Sequence, residues 1–261
     1  MPSLRALKAA GHDIPLVITQ PDRPADRLQV MAPLVKVAAQ QLGLQVLQPT
    51  SIRALASVQR LREVAPELLV VVAYGQIIPA EVLAIPSRGA INVHASLLPR
   101  HRGAAPVARA ILAGDKQTGV TIMQIDEQLD HGPILAAHTT SVGEHEDAPT
   151  LTGRLATIGA DLLVSTLSRL DDITPVEQNH DLATLAPRLS REDGELDWSL
   201  GADEIDRRVR ALQPWPGVTL PTGRGRVKVL SGHVEGNRYV PDIVQRPGKK
   251  PAPAKQVLGD A

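Results

Sequence analysis

The chain has 261 residues, 43% hydrophobic and 21% charged, with 28 basic and 28 acidic side chains and no cysteine. Balanced charge argues against a protein that coats nucleic acid non-specifically, and the lack of Cys excludes disulfides, thiolate nucleophiles and zinc-thiolate sites. No run approaches the ~18 uninterrupted apolar residues of a spanning helix, and Arg5 and Lys8 sit inside the first apolar run, as in an amphipathic helix and not a signal peptide, so a cytoplasmic location is expected.

Taken in order, Ser3 is expected to cap a helix ending before Gly11, with a strand over 14–19 and a turn over 20–24. A helix over 33–42 should stop at Gly43, a short strand over 45–47 should follow, and Thr50 or Ser51 should open a helix running to Val64. Residues 68–73 form a near-continuous apolar run, the pattern of a central parallel strand. Ala90 to Val93, preceded by Gly89, reads as the end of another buried strand, which delivers Asn92 and His94 to the sheet edge where open α/β sheets bind ligands. A helix over 107–113 and a strand over 120–124 continue the alternation. The expected fold class is therefore α/β, with a doubly wound, mostly parallel, Rossmann-like sheet.

A helix over 150–170 should close this first domain, and Pro175, Asn179 and Pro187 break the pattern over 171–188 as a linker does. A charged helix over 202–212 then precedes short strands over 218–220, 227–230 and 239–244, separated by Gly and Pro as in a small, shortened β-barrel. The expected domains are 1–175, a linker over 176–195, and 196–261. From Pro221 onward eight Lys or Arg face three acidic residues, so this end is locally basic. Trp198 and Trp215, the only two tryptophans, are expected to anchor packing.

The chemistry concentrates in Gly89–Leu135. Pro99 cannot extend a ladder, so Ser96 to Pro99 forms a tight loop after the strand, and the strand over 120–124 leads into a polar loop with Asp126, Glu127, Asp130 and His131. An amide can donate to a carbonyl oxygen that becomes negative, while an imidazole and a carboxylate can move the proton of an attacking amine. That combination suits transfer of an acyl or formyl group. His131 and Asp126 are expected to be mainly structural, and the eight His show no metal-ligand spacing, so no metal is expected.

Asn92-x-His94 followed by SLLP (96–99), then RGAAP (102–106), GVTIMQ-x-DE (119–127) and LD-x-GPIL (129–135), resembles the folate-dependent formyltransferases. TQPDRPA (19–25), VVVAYGQIIP (70–79), EDGELDW (192–198) and PWPG (214–217) extend the likeness over most of the chain. The resemblance implies that Asn92, His94 and Asp130 are catalytic and that Ser96, Leu97, Leu98 and Pro99 hold folate. It implies a co-substrate, 10-formyltetrahydrofolate, and a partner, initiator methionyl-tRNA, touched through Arg23, Arg27, Lys36, Lys249 and Lys250, while Arg100 and Arg102, which flank His101, are candidate contacts for a tRNA phosphate or the folate tail. The enzyme is expected to be a monomer, with a barrel of the oligonucleotide-binding type. Other readings are formyl transfer to glycinamide ribonucleotide or an amino sugar nucleotide, hydrolysis of 10-formyltetrahydrofolate, and an inactive relic. The family opens with a strand and a glycine-containing turn before its first helix, whereas this sequence begins at that helix and is short after His233 for a full barrel. A chain lacking that strand and part of the barrel is the expectation.

Overall fold

A computed structural model of the chain describes residues 1–24, 30–196, 199–223 and 225–259. The expectations for Arg27 and Trp198 lie outside those residues. The chain runs α1 (Pro2–Ala9), β1 (Val17–Ile18), β2 (Arg23–Pro24), β3 (Val30–Met31), α2 (Leu34–Gln41), β4 (Val46–Leu47), α3 (Leu55–Val64), β5 (Leu69–Val71), α4 (Ala80–Leu83) and β6 (Ala90–His94). It continues through α5 (Pro106–Ala113), β7 (Gln117–Gln124), β8 (Ile134–Ser141), α6 (Ala148–Leu167), α7 (Ala202–Ala211), β9 (Val218–Thr222), β10 (Gly225–Glu235), β11 (Arg238–Gln245), β12 (Ala252–Pro253) and α8 (Ala254–Leu258). These elements fall into two compact units, one formed by Met1–Arg102, Gly119–Thr139 and Arg154–Thr184, the other by Gly103–Thr118, Thr140–Gly153 and Leu185–Ala261.

In the first unit β5, β6, β7 and β8 are neighbours in that order. β5 and β6 are parallel, with Val71 opposite Asn92, whereas β6 and β7 are antiparallel, with Asn92 opposite Met123 and His94 opposite Thr121. β7 turns back into β8 with the Gln124 N–H on the Pro133 carbonyl (2.9 Å). The mostly parallel sheet expected from the sequence is therefore corrected to a mixed one. The loop over 125–133 is too short for the crossover that a parallel connection requires. β1 and β4 form a separate parallel pair, Val17 opposite Val46 and Ile18 opposite Leu47. The strand expected over 14–19 is trimmed because Pro15 has no N–H for a ladder.

Two helix starts also shift. Pro2, with its preset φ, opens α1 ahead of Ser3, which is buried inside the helix and caps nothing. Ser51 closes its own turn, its hydroxyl accepting the Arg53 N–H (3.2 Å), so α3 begins later, at Leu55. Leu7, Ile91, Ile122, Leu135 and Leu163 form the core beneath the sheet, with Val70 and Val93 packed against them. α6 comes close to β6 and β7 at Gly159, where a Cβ would lie 2.9 Å from Val93 Cγ1 and 3.2 Å from Val120 Cγ1. That backbone approach covers the Val93 side of β6.

The second unit holds an antiparallel sheet in the order β12, β11, β10, β9. Val218, Leu220, Val229 and Val244 are fully buried on it. α7 packs on β10, β11 and α5 through Ala202, Ile205 and Val209, spaced three and four apart along one face, while Arg208–Glu204 and Arg210–Asp206 pair (2.8 Å each) on its other side. Trp215 departs from its expected role. It is 51% exposed, on a turn closed by the Gly217 N–H to the Leu212 carbonyl (2.8 Å).

Within this unit Arg109 grips Asp193 with both ends of its guanidinium (3.0 and 3.2 Å), and the Ser190 N–H donates to the same carboxylate (2.7 Å). Burial pushes the Asp193 carboxyl up, but these hydrogen bonds and the arginine charge outweigh it and hold it below its ordinary value. A depressed folded-state value means stability that is present above the unfolded pKa and lost as pH falls through the folded one. Asp193→Asn is therefore expected to cost about 1.5–3 kcal/mol near neutral pH and to flatten the acid limb of the melting temperature plotted against pH. An unchanged acid limb would remove this ion pair from the stability of the unit.

Candidate active site

β6 ends by placing Asn92 and His94, two residues apart and therefore on one face, beside the loop that carries Asp130. Asn92 Nδ2 donates to Asp130 Oδ1 (3.3 Å), and His94 Nδ1 lies 3.6 Å from Asp130 Oδ2, with both side chains largely buried (6% and 14% exposed). The remaining ring nitrogen of His94, Nε2, is 2.9 Å from the His101 carbonyl. A carbonyl only accepts, so Nε2 carries a proton. Neutral His94 then has its lone pair on Nδ1, facing the carboxylate, and only the imidazolium has a proton to share there. At 3.6 Å the two groups are just beyond direct hydrogen bonding.

The loop after β6 is tied to β7. Thr121 donates its hydroxyl to the Ser96 carbonyl (2.7 Å) and accepts the Leu98 N–H (3.2 Å), while the Ser96 hydroxyl donates to the Arg100 carbonyl (2.6 Å). Ser96 and Leu98 are buried, and Leu97 and Pro99 half-buried. The Asp130 loop is drawn tightly to β7 at Gly132, where a Cβ would meet the Gln124 carbonyl oxygen at 2.2 Å, so no other residue fits. His131 Nδ1 pairs with Asp126 (2.7 Å), and its ring stacks on that of His180 at 3.9 Å between centroids.

A segment with no motif of its own completes the site. Val176 exchanges backbone hydrogen bonds with Ile134 (2.7 and 2.9 Å). Buried Gln178 donates to the Asp130 and Gly132 carbonyls (3.0 and 2.7 Å). Thr184 takes the His101 N–H on its hydroxyl (2.9 Å), and its carbonyl takes the Arg102 N–H (2.8 Å). Gln178 and Thr184 are what sequence reasoning missed, since they lie where Pro and Asn suggested a linker. The segment instead buttresses the His101 loop and the Asp130 loop.

A family model described as "Formyl transferase" matches residues 2–167, and one described as "Formyl transferase, C-terminal domain" matches 188–249. This chain belongs to the formyl transferase family. Within that family a "Methionyl-tRNA formyltransferase" of Chromobacterium violaceum is 47% identical over 244 residues, covering 93% of this chain and 80% of the relative. One of Thermus thermophilus is 44% identical over 262 aligned positions, covering 100% of this chain and 84% of the relative. The solved N-formyltransferase of Helicobacter canadensis, in complex with folinic acid and dTDP-3-aminofucose, superposes with a TM-score of 0.69 over 93% of this chain and 89% of its own, at 18% identity, which shows the shared formyl transferase fold.

The cations expected at a polynucleotide are placed unevenly. Arg23, Arg100, Lys249 and Lys250 are exposed. Lys36 is held by Asp22 (2.6 Å), whose carboxyl is kept below its usual value by hydrogen bonds from Gln48 and Lys36. Arg102 departs from the expectation of a surface contact. It is 7% exposed, with its guanidinium on Gln178 Oε1 (3.1 and 2.5 Å) and His180 Nδ1 (2.8 Å). Among the described residues no cluster suited to a metal ion occurs, and no helix is long and apolar enough to cross a membrane.

Proposed function

We propose that the chain transfers the formyl group of 10-formyltetrahydrofolate to the α-amino group of methionine carried by initiator tRNA, for translation initiation. The observation that carries this reading is the meeting of Asn92, His94 and Asp130 at the end of β6, in a family member whose relatives named for that activity are 44–49% identical.

The neutral amine attacks the formyl carbon, and the carbonyl oxygen becomes an oxyanion. Asn92 has a second amide proton beyond the one given to Asp130, and that proton meets the oxyanion. The amine proton passes to the Asp130 carboxylate or through Nδ1 of His94, whose Nε2 stays committed to the His101 carbonyl. When the intermediate collapses, the bond from carbon to the folate nitrogen breaks and that nitrogen takes up a proton, giving N-formylmethionyl-tRNA and tetrahydrofolate. Both substrates are held side by side, so no intermediate on the enzyme is required. Since the Ser96 hydroxyl is spent on Arg100, the loop offers folate Leu97, Pro99 and its backbone.

The reading assigns 1–175 to catalysis, 176–195 to a connector whose first part, 176–184, also braces the site, and 196–261 to tRNA binding, in a cytoplasmic monomer whose antiparallel sheet serves as a shortened barrel of the oligonucleotide-binding type. Purified protein incubated with labelled 10-formyltetrahydrofolate should pass label to methionyl initiator tRNA, and not to glycinamide ribonucleotide, an amino sugar nucleotide or water. Label on another acceptor, or none transferred, would overturn it.

The exposed Lys249 and Lys250 sit in a turn fixed by the Lys249 N–H on the Arg246 carbonyl (3.0 Å) and by Gln245 on the Lys249 carbonyl (2.7 Å). Replacing Lys249, Lys250 and Lys255 by Ala is expected to weaken tRNA binding and reduce the slope of log Kd against log salt by about one for each phosphate left without its lysine, with folate affinity unchanged. An unaltered slope would make these lysines solvated surface.

A further inference from the structure

At Asp130 the backbone is in the left-handed region (φ +46°), which a residue other than glycine keeps only where its surroundings hold it. The holder is Gln178, 5% exposed. Its Nε2 protons go to the carbonyls of Asp130 (3.0 Å) and Gly132 (2.7 Å), and its Oε1 accepts from Nε (3.1 Å) and Nη2 (2.5 Å) of Arg102. The opposite amide orientation would set oxygen against two carbonyls and nitrogen against a guanidinium, so the partners fix which atom lies where. Among the described residues Arg102 has no carboxylate partner; Gln178 Oε1 and His180 Nδ1 answer its charge. A cation on the amide oxygen polarises the amide and strengthens its N–H groups as donors to the Asp130 loop.

We propose that Gln178, anchored by Arg102, is a positioning residue for formyl transfer, fixing the loop so that the Asp130 carboxylate stays against Asn92 and within reach of His94. This rests on the reading of Asn92, His94 and Asp130 as the reacting centre. Gln178 touches no reacting atom and acts only through where Asp130 stands.

Gln178→Glu separates this role from mere packing. The side chain keeps its size, and beside Arg102 it is ionised and gains an ion pair, but it presents an oxygen without a proton to the Asp130 and Gly132 carbonyls. The melting temperature should hold, kcat should fall on the order of 100-fold, as for a misplacement of about 1 Å at a reacting centre, and both KM values should stay within about threefold. Added to Asp130→Asn, the same change should cost less than about threefold more, because the group it positions is already gone. The ¹⁵N signals of the His94 ring should shift in Gln178→Glu. Turnover within about threefold of wild type, a loss fully additive with Asp130→Asn, or an unchanged His94 signal would each overturn the proposal. If the unmutated protein transfers no formyl group to methionyl-tRNA, the functional reading fails separately, and the His94 signal still decides whether Gln178 holds the pair.

Discussion

Asp130→Asn is expected to slow single-turnover formyl transfer by about 10²–10⁴-fold, the usual contribution of a positioned proton acceptor, with little change in stability. The substitution removes basicity and little else. Asn tolerates the left-handed backbone at 130 (φ +46°) better than most residues. Its side-chain oxygen can still accept from Asn92, as Oδ1 now does at 3.3 Å. Its amide protons would face Nδ1 of His94, which holds a lone pair when Nε2 is bound to the His101 carbonyl. The imidazole therefore keeps its bond to the His101 carbonyl but has no carboxylate to stabilise it once charged. A stability change within ~0.5 kcal/mol is expected, checked by thermal melting beside the transfer assay. A variant retaining more than roughly a tenth of the wild-type rate would fall outside that range and remove Asp130 from the proton path.

Asn92→Ala should lower kcat by about 10²–10³-fold with KM nearly unchanged, because the lost donor meets an oxygen that is strongly negative only in the transition state. Asn92→Asp is the sharper variant. It conserves shape but sets a second carboxylate where Nδ2 now lies 3.3 Å from Asp130, and two carboxylates so close cannot both ionise at ordinary pH. Its residual activity should be no better than that of Asn92→Ala, and its pH profile should move upward as the pair shares a proton. If Asn92→Asp turned over as fast as wild type, the oxyanion would have to be stabilised elsewhere.

The parts of this molecule that could be read in advance are those with periodic or motif signals. Ala90–His94 is a strand one residue longer than the apolar run over Ala90 to Val93 suggested, and it brings the Asn92 and His94 side chains beside that of Asp130. What escaped reading was set by tertiary bonding. β8 is an edge strand of mixed, half-exposed composition, so no clean alternation marks it. The segment from Val176 to Thr184 carries the composition of a linker, yet Gln178 is buried because loop carbonyls and a guanidinium surround it. Single polar side chains that satisfy distant backbone groups leave no period in a sequence. The buried state of Arg102 escapes for the same reason, since a cation opening the RGAAP motif looks like one that meets a ligand.

Late assembly follows from the way the 176–184 segment laces the site together. Gln178 reaches back 48 residues to Asp130, and Thr184 reaches back 83 to His101. Links of such separation carry the closure entropy of long loops and form slowly compared with helices. On a ribosome adding ~5–20 residues per second, β6 emerges roughly 5–20 s before Thr184. For that interval the nascent chain holds Asn92 and His94 without the braces that keep their neighbours in place. Competence should therefore be the last property to appear on refolding, with helical ellipticity recovering first and formyl transfer following as a separate, slower phase.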